Sequence, residues 1–217
     1  LDVFVRDRLA GTTERVSVSS AGAQADYCSE DPAISADGRY VAFSSEATNL
    51  VAGDTNEAED IFVHDRDTDA TERVSLTNAG GEASHGSRFP AISANGRHVV
   101  FVSCATNLVA GDTNAKPDVF MRDRTLSTTE RVSVSSAGAQ GNMCSSLGGV
   151  SADGRYVAFD SVATNLVLGD TNGWWDVFVR DLVSDTTERV SLSSGGAQGD
   201  NTSTDPVISS DGRFVAF

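Results

Sequence analysis

Short apolar runs rich in β-branched and aromatic residues alternate with polar, Gly- and Asp-rich stretches along the whole chain. No window of useful length carries the period of an amphipathic helix. Between Asp31 and Thr77 the pattern predicts four short strands: Pro32–Ser35, Arg39–Ser44 (RYVAFS), Asp60–His64 (DIFVH) and Thr71–Thr77 (TERVSLT). The first two are joined by Ala36-Asp37-Gly38, a tight-turn signal, because Asp and Gly tolerate the positive φ a hairpin needs. The second and third are joined by the long polar stretch Ser45–Glu59, and another, Asn78–Arg88, leads onward. The connections therefore alternate short and long. In an antiparallel meander this places the short turns on one face and the long loops on the other.

This four-strand phrase repeats with a step of 58 residues. DVFVRD at Asp2 returns as DIFVHD at Asp60, DVFMRD at Asp118 and DVFVRD at Asp176, and SADGRYVAF at Ser35 returns at Ser93, Ser151 and Ser209. A period of this length means stacked supersecondary units, each unable to bury its own apolar faces alone. Four-stranded units repeated in this way read as the blades of a β-propeller. The expected architecture is all-β, one propeller domain over 1–217 with four blade equivalents: 32–77, 90–135, 148–193, and a fourth made of 1–19 plus 206–217. The chain begins with the third and fourth strands of a unit and ends with the first and second. Pairing the two ends removes exposed sheet edges, either within one chain as four blades or between two chains as eight.

SADGRYVAF, DVFVRD and TERVS together resemble the TolB-like, WD-repeat-like propeller repeat of bacterial secreted and periplasmic proteins. The resemblance covers essentially the whole chain. It implies a propeller fold, an envelope or extracellular location, and a range of roles: protein-binding scaffold, as in TolB, or a domain attached to a peptidase or other enzyme. The long ATNLVAGDTN loop makes these units larger than common blades.

Composition narrows the partners. The 217 residues carry 31 acidic and 16 basic side chains, a net charge of −15. This argues against a nucleic-acid backbone as partner, which requires clustered Lys and Arg. No apolar run approaches the roughly 18 residues of a membrane span, and no signal segment opens the chain, which starts at Leu1 inside a repeat and reads as a processed or cut piece. Cys28, Cys104 and Cys144 are an odd, sparse set, read as unpaired thiols with a Cys28–Cys144 bridge as the alternative.

Two features stand out as candidate sites. The loop GDTNxxxD brings Asp54, Asn56 and Asp60 together, and likewise Asp112, Asn114, Asp118 and Asp170, Asn172, Asp176. Alternate Asp and Asn with a later carboxylate is a way to gather oxygen ligands around Ca²⁺, and it is equally a way to cap turns. The pair Trp174-Trp175 breaks the repeat, where other units hold Ala58-Glu59 and Lys116-Pro117, and lies on a long loop suited to a protein or carbohydrate ligand. The repeated Arg15, Arg73, Arg131 and Arg189 are expected to tie to Asp7, Asp65, Asp123 and Asp181 at the ends of the third strands. His98 stands where other units hold Tyr or Phe, and His64 where they hold Arg, so both read as structural. No nucleophile motif or phosphate loop is present. The resulting expectation is a non-catalytic secreted binding or scaffold module, Ca²⁺-stabilised in one reading of the loops. The alternatives are an enzyme-attached propeller or a unit whose ends pair between protomers.

Overall fold

The computed structural model describes residues 1–217 and contains strands but no helices. Three complete four-stranded antiparallel blades are present. Blade I is β3 (Ser29–Ile34), β4 (Tyr40–Ser45), β5 (Asp60–Asp65) and β6 (Ala70–Arg73). Blade II is β7 (Ser87–Ile92), β8 (His98–Ser103), β9 (Asp118–Asp123) and β10 (Thr128–Arg131). Blade III is β11 (Ser145–Val150), β12 (Tyr156–Ser161), β13 (Asp176–Asp181) and β14 (Thr186–Arg189). The fourth blade equivalent is present as two halves, β1 (Phe4–Asp7) with β2 (Thr12–Arg15), and β15 (Val207–Ile208) with β16 (Val215–Ala216). These halves stand as separate two-stranded sheets, not joined to each other.

The first strand of each complete blade begins about three residues earlier than the hydrophobic pattern suggests, because it carries a bulge that the alternation rule does not see. The register slips between Glu30 and Ala33, between Arg88 and Ala91, and between Leu147 and Gly149. At this bulge Asp31, Phe89 and Asp205 adopt left-handed backbone (φ 50°, 55° and 54°), each followed by proline. The fourth strand ends earlier than expected, at Arg73 in blade I, after which the chain turns into the isolated bridge Leu76↔Glu82.

The core lies between blades, not within them. Val41, Phe43 and Phe62 of blade I pack on Val3 and Val16 of the N-terminal half-blade. Ile61, Val63 and Val74 meet Val99, Phe101 and Phe120 of blade II. Val100, Val119 and Val132 meet Val157, Phe159 and Phe178 of blade III. This is why one unit could not fold alone: alternation along each central strand sends side chains into both neighbouring interfaces. A stacked Phe pair spans the second and third strands of each complete blade, with centroids 5.9, 6.1 and 5.6 Å apart.

The hairpin glycines serve two purposes. Gly96 has φ 71°, and a Cβ there would lie 2.1 Å from the Tyr40 ring of the preceding blade. Gly154 meets His98 at 2.0 Å and Gly212 meets Tyr156 at 2.2 Å in the same way. His98 therefore occupies the ring position of Tyr40 and Tyr156. Burial lowers its pKa.

Candidate functional site

The GDTN loops lie on the long-loop face, where each Asn makes a turn of its own. Asn56 Oδ1 accepts the Ala58 N–H (3.1 Å), Asn114 Oδ1 that of Lys116 (2.9 Å) and Asn172 Oδ1 that of Trp174 (3.1 Å). The carboxylates converge on a guanidinium. Arg73 Nη1 lies 3.0 Å from Asp54, 3.1 Å from Asp60 and 2.8 Å from Glu82, and the Asn56 amide donates to Asp60. Arg189 lies 3.2 Å from both Asp170 and Asp176, while Arg131 is looser, 3.9 Å from Asp112 and 3.6 Å from Asp118. Asp2 faces Arg15 at 3.8 Å.

The repeated Arg thus ties to the Asp that opens the third strand, not to the one that ends it. The closing Asp65, Asp123 and Asp181 are taken instead by Arg39, Arg97 and Arg155 at the start of the second strands (2.7, 2.6 and 2.7 Å). Sequence spacing could not choose between the two carboxylates, because both recur with the same period. Antiparallel pairing decides: Phe62 lies opposite Arg73 and Tyr40 opposite Asp65, so each Arg finds the Asp at its own end of the sheet.

These residues do not fit Ca²⁺. An amide N–H and a guanidinium point at the carboxylate oxygens a cation would need, and the Asn carbonyl oxygens are spent on their own turns. Burial raises the pKa of Asp60, against the Ser75 hydroxyl and the Arg73 charge that hold it down. Burial likewise raises Asp54, Asp118 and Asp170. Glu82, at the rim, is instead lowered to about 2, chiefly by the Thr55 hydroxyl and amide. No group of three or more His, Cys, Asp or Glu side chains is arranged to hold a metal ion.

A second site departs from the repeat. A cavity of about 350 Å³ opens between blades II and III at the ends of the strands that face the long loops. It is lined by Arg88, Phe89, Cys104, Pro117, Cys144 and Trp175, among others. Phe89 sits on the bulge in left-handed backbone, 48 % exposed, which is costly for a bulky residue. The Arg88 guanidinium lies 6.0 Å from its ring centroid and 3.4 Å from the Glu59 carboxylate. Trp175 is half-buried in the wall. Trp174, beside it, is 47 % exposed and outside the cavity lining. The two tryptophans are thus separated: one shapes the cavity and one faces solvent.

The repeat supplies a comparison for each lining residue. One or two steps away, Phe89 corresponds to Asp31, Leu147 and Asp205, Arg88 to Glu30, Ser146 and Thr204, and Cys104 to Glu46 and Val162. The architecture requires none of these side chains. Only Trp175 was evident as an interruption in the sequence. Aligning the bulge position unit by unit would have revealed Phe89 and Arg88 as well. All three cysteines are free thiols.

With this geometry in view, the likeness to solved structures is specific at the level of architecture. Over 100 % of this chain and 42 % of the other, it superposes on TolB from Acinetobacter baumannii with a TM-score of 0.56 at 18 % identity. The fold is a TolB-type propeller. A putative TolB from Agrobacterium tumefaciens gives a TM-score of 0.60 at 17 % identity over 99 % of this chain and 60 % of that one. An oligogalacturonate lyase in complex with manganese gives 0.54 at 14 % over 100 % and 50 %. The TolB-type array here therefore spans 42–60 % of the length of the TolB chains it matches. No protein-family model matches the sequence, and no curated protein matches it. No helix is long and apolar enough to cross a membrane.

Proposed function

We propose that this propeller is a non-catalytic binding module of the bacterial envelope or exterior. It would capture a protein segment in the cavity between blades II and III. The observation that carries this reading is the coincidence, in one cavity, of residues the repeat does not require: strained Phe89, Arg88 and the wall Trp175. Rings on two sides suit an apolar side chain, and Arg88 at the mouth suits a carboxylate. The titratable residues that repeat are engaged in ties between strands, which supports a binding role for the array. The repeat's resemblance to periplasmic and secreted propellers supports this location. The GDTN loops hold the blades through their Arg-centred clusters, without a requirement for Ca²⁺.

The test is a peptide-array screen followed by titration with the best apolar, acidic peptide. Trp175→Ala and Phe89→Asp, the latter installing the residue found at positions 31 and 205, should each weaken binding at least about tenfold. Their melting temperatures should stay near that of the parent. Unchanged affinity in both variants would remove the cavity from the binding surface. Turnover of a peptide or oligosaccharide panel would overturn the non-catalytic reading.

A further inference from the structure

On the short-turn face an arginine ties each of two blades to its predecessor, and at the third interface that arginine is replaced. Arg66 and Arg124 follow the closing Asp of β5 and β9. Arg66 Nε donates to Glu14 of the preceding unit, and Arg124 Nε to Glu72 (2.7 Å). Their Nη1 groups donate to the carbonyl oxygens of the hairpin glycines Gly38 and Gly96 (2.5 Å each). Arg124 also lies over the Tyr40 ring, 4.4 Å from its centroid. One step on, the residue is Leu182. Its backbone is placed in the same way: Leu182 N–H donates to Arg155 O (3.0 Å), as Arg66 does to Arg39 O (3.0 Å) and Arg124 to Arg97 O (2.9 Å). The rest of the guanidinium site is kept. Glu130 stands where Glu14 and Glu72 do, Gly154 where Gly38 and Gly96 do, and His98 where Tyr40 does.

Smaller side chains leave a cleft at this interface. Leu182 packs down on the apolar cluster between blades II and III, and the His98 ring is smaller than that of Tyr40. The cleft has a volume of about 450 Å³ and is lined by His98, Asp123, Glu130, Asp153, Gly154 and Leu182, among others. Two of its three carboxylates are engaged. Asp123 is tied to Arg97 (2.6 Å), and Asp153 accepts the Ser151 hydroxyl (2.6 Å) and the Arg155 N–H (3.0 Å). The cations nearby are engaged too: Arg155 is tied to Asp181 (2.7 Å) and Arg180 to Asp185 (2.9 Å). Glu130 alone has lost the partner that the repeat provides, since its counterparts Glu14 and Glu72 are both bound to an arginine.

We propose that this cleft binds the guanidinium group of an arginine side chain carried by a peptide partner, in the place that Arg124 fills one blade earlier. The Glu130 carboxylate and the Gly154 carbonyl oxygen accept its N–H donors, and its plane lies against the His98 ring. A planar, forked cation suits this set of acceptors better than an ammonium, which cannot serve both oxygens and the ring face in one orientation. The net charge of −15 favours the approach of a cationic segment. The cleft lies on the face opposite the Phe89 and Trp175 cavity, and its argument rests on different residues.

The test is calorimetric titration of the whole chain with N-acetyl-arginine N-methylamide, with its neutral citrulline isostere and with the lysine analogue. The arginine compound should bind at one site, at least about tenfold more tightly than either of the others. Glu130→Gln should weaken that binding by about tenfold or more, with the melting temperature unchanged. Leu182→Arg should abolish it, because the protein then supplies its own guanidinium as it does at Arg66 and Arg124, and the melting temperature should hold or rise. No saturable binding of the arginine compound in the millimolar range would overturn the proposal. Equal binding of the citrulline compound would overturn the role of charge, and equal binding of the lysine analogue would overturn the guanidinium in favour of any cation. Binding that survives either variant would overturn the assignment to this cleft.

Discussion

Replacing Asp160 with Val should stabilise the protein at neutral pH and leave it nearly unchanged in acid. Asp160 lies on β12 at the position held by Ser44 in blade I and Val102 in blade II, so the repeat shows that no carboxylate is needed there. It is 5 % exposed, and its pKa is pushed up to about 6, mainly by burial and secondarily by the nearby Asp205. A carboxyl whose folded pKa exceeds its unfolded value favours folding when protonated. Its contribution is full below about 4 and is lost as the pH rises through 6. A rise from 3.8 to about 6 is worth about 3 kcal/mol. Denaturant unfolding of the parent and Asp160→Val, followed from pH 4 to 8, reads this directly. The stability difference between the two proteins should grow by about 2–3 kcal/mol between pH 4 and pH 8, most of it between about pH 4 and the folded value of about 6, where it levels off. A difference that stays constant across this range would refute the reasoning, since a packing effect of Val alone has no pH dependence.

Two further substitutions test the architecture. Gly96→Ala should cost about 2–5 kcal/mol, because it combines left-handed backbone with a clash against Tyr40. Gly111→Ala, at φ 77° with no atom within 4 Å of the added Cβ, should cost only about 1–2 kcal/mol. Equal losses in denaturant unfolding would show that the ring contact does not matter. Arg73→Met should cost about 3–5 kcal/mol by leaving Asp54 and Asp60 buried without their counter-charge. On the same reasoning EDTA should leave the parent's melting temperature unchanged; a fall that Ca²⁺ reverses would restore the metal reading of the loops.

How much was legible in the sequence follows the distinction between periodic and non-periodic information. The Asp-Gly turns, the strand composition and the 58-residue step determined an all-β array of four-stranded units, because turn chemistry and alternation are local and the repeat confirmed each reading in every unit. The bulge in the first strand was missed, since an extra residue in one strand leaves no trace in its hydrophobic pattern. The repeated Arg was assigned to the wrong Asp, because period alone cannot distinguish two carboxylates at opposite ends of one strand. Trp175 was visible as an interruption of the repeat. Its partners Phe89 and Arg88 lie 86 and 87 positions away on another blade, and no local rule joins them.

By itself, then, the sequence determined the unit: its strands, its turns, its two unlike faces and its need for neighbours. The tertiary structure decided what the units do to one another. Register sent each arginine to its carboxylates and made the GDTN loops centres of internal charge pairing. Blade packing brought Phe89 and Trp175 to one cavity. The physical reason is that backbone preferences and alternation act over a few residues, whereas charge pairing and cavities depend on distances between units that only packing sets.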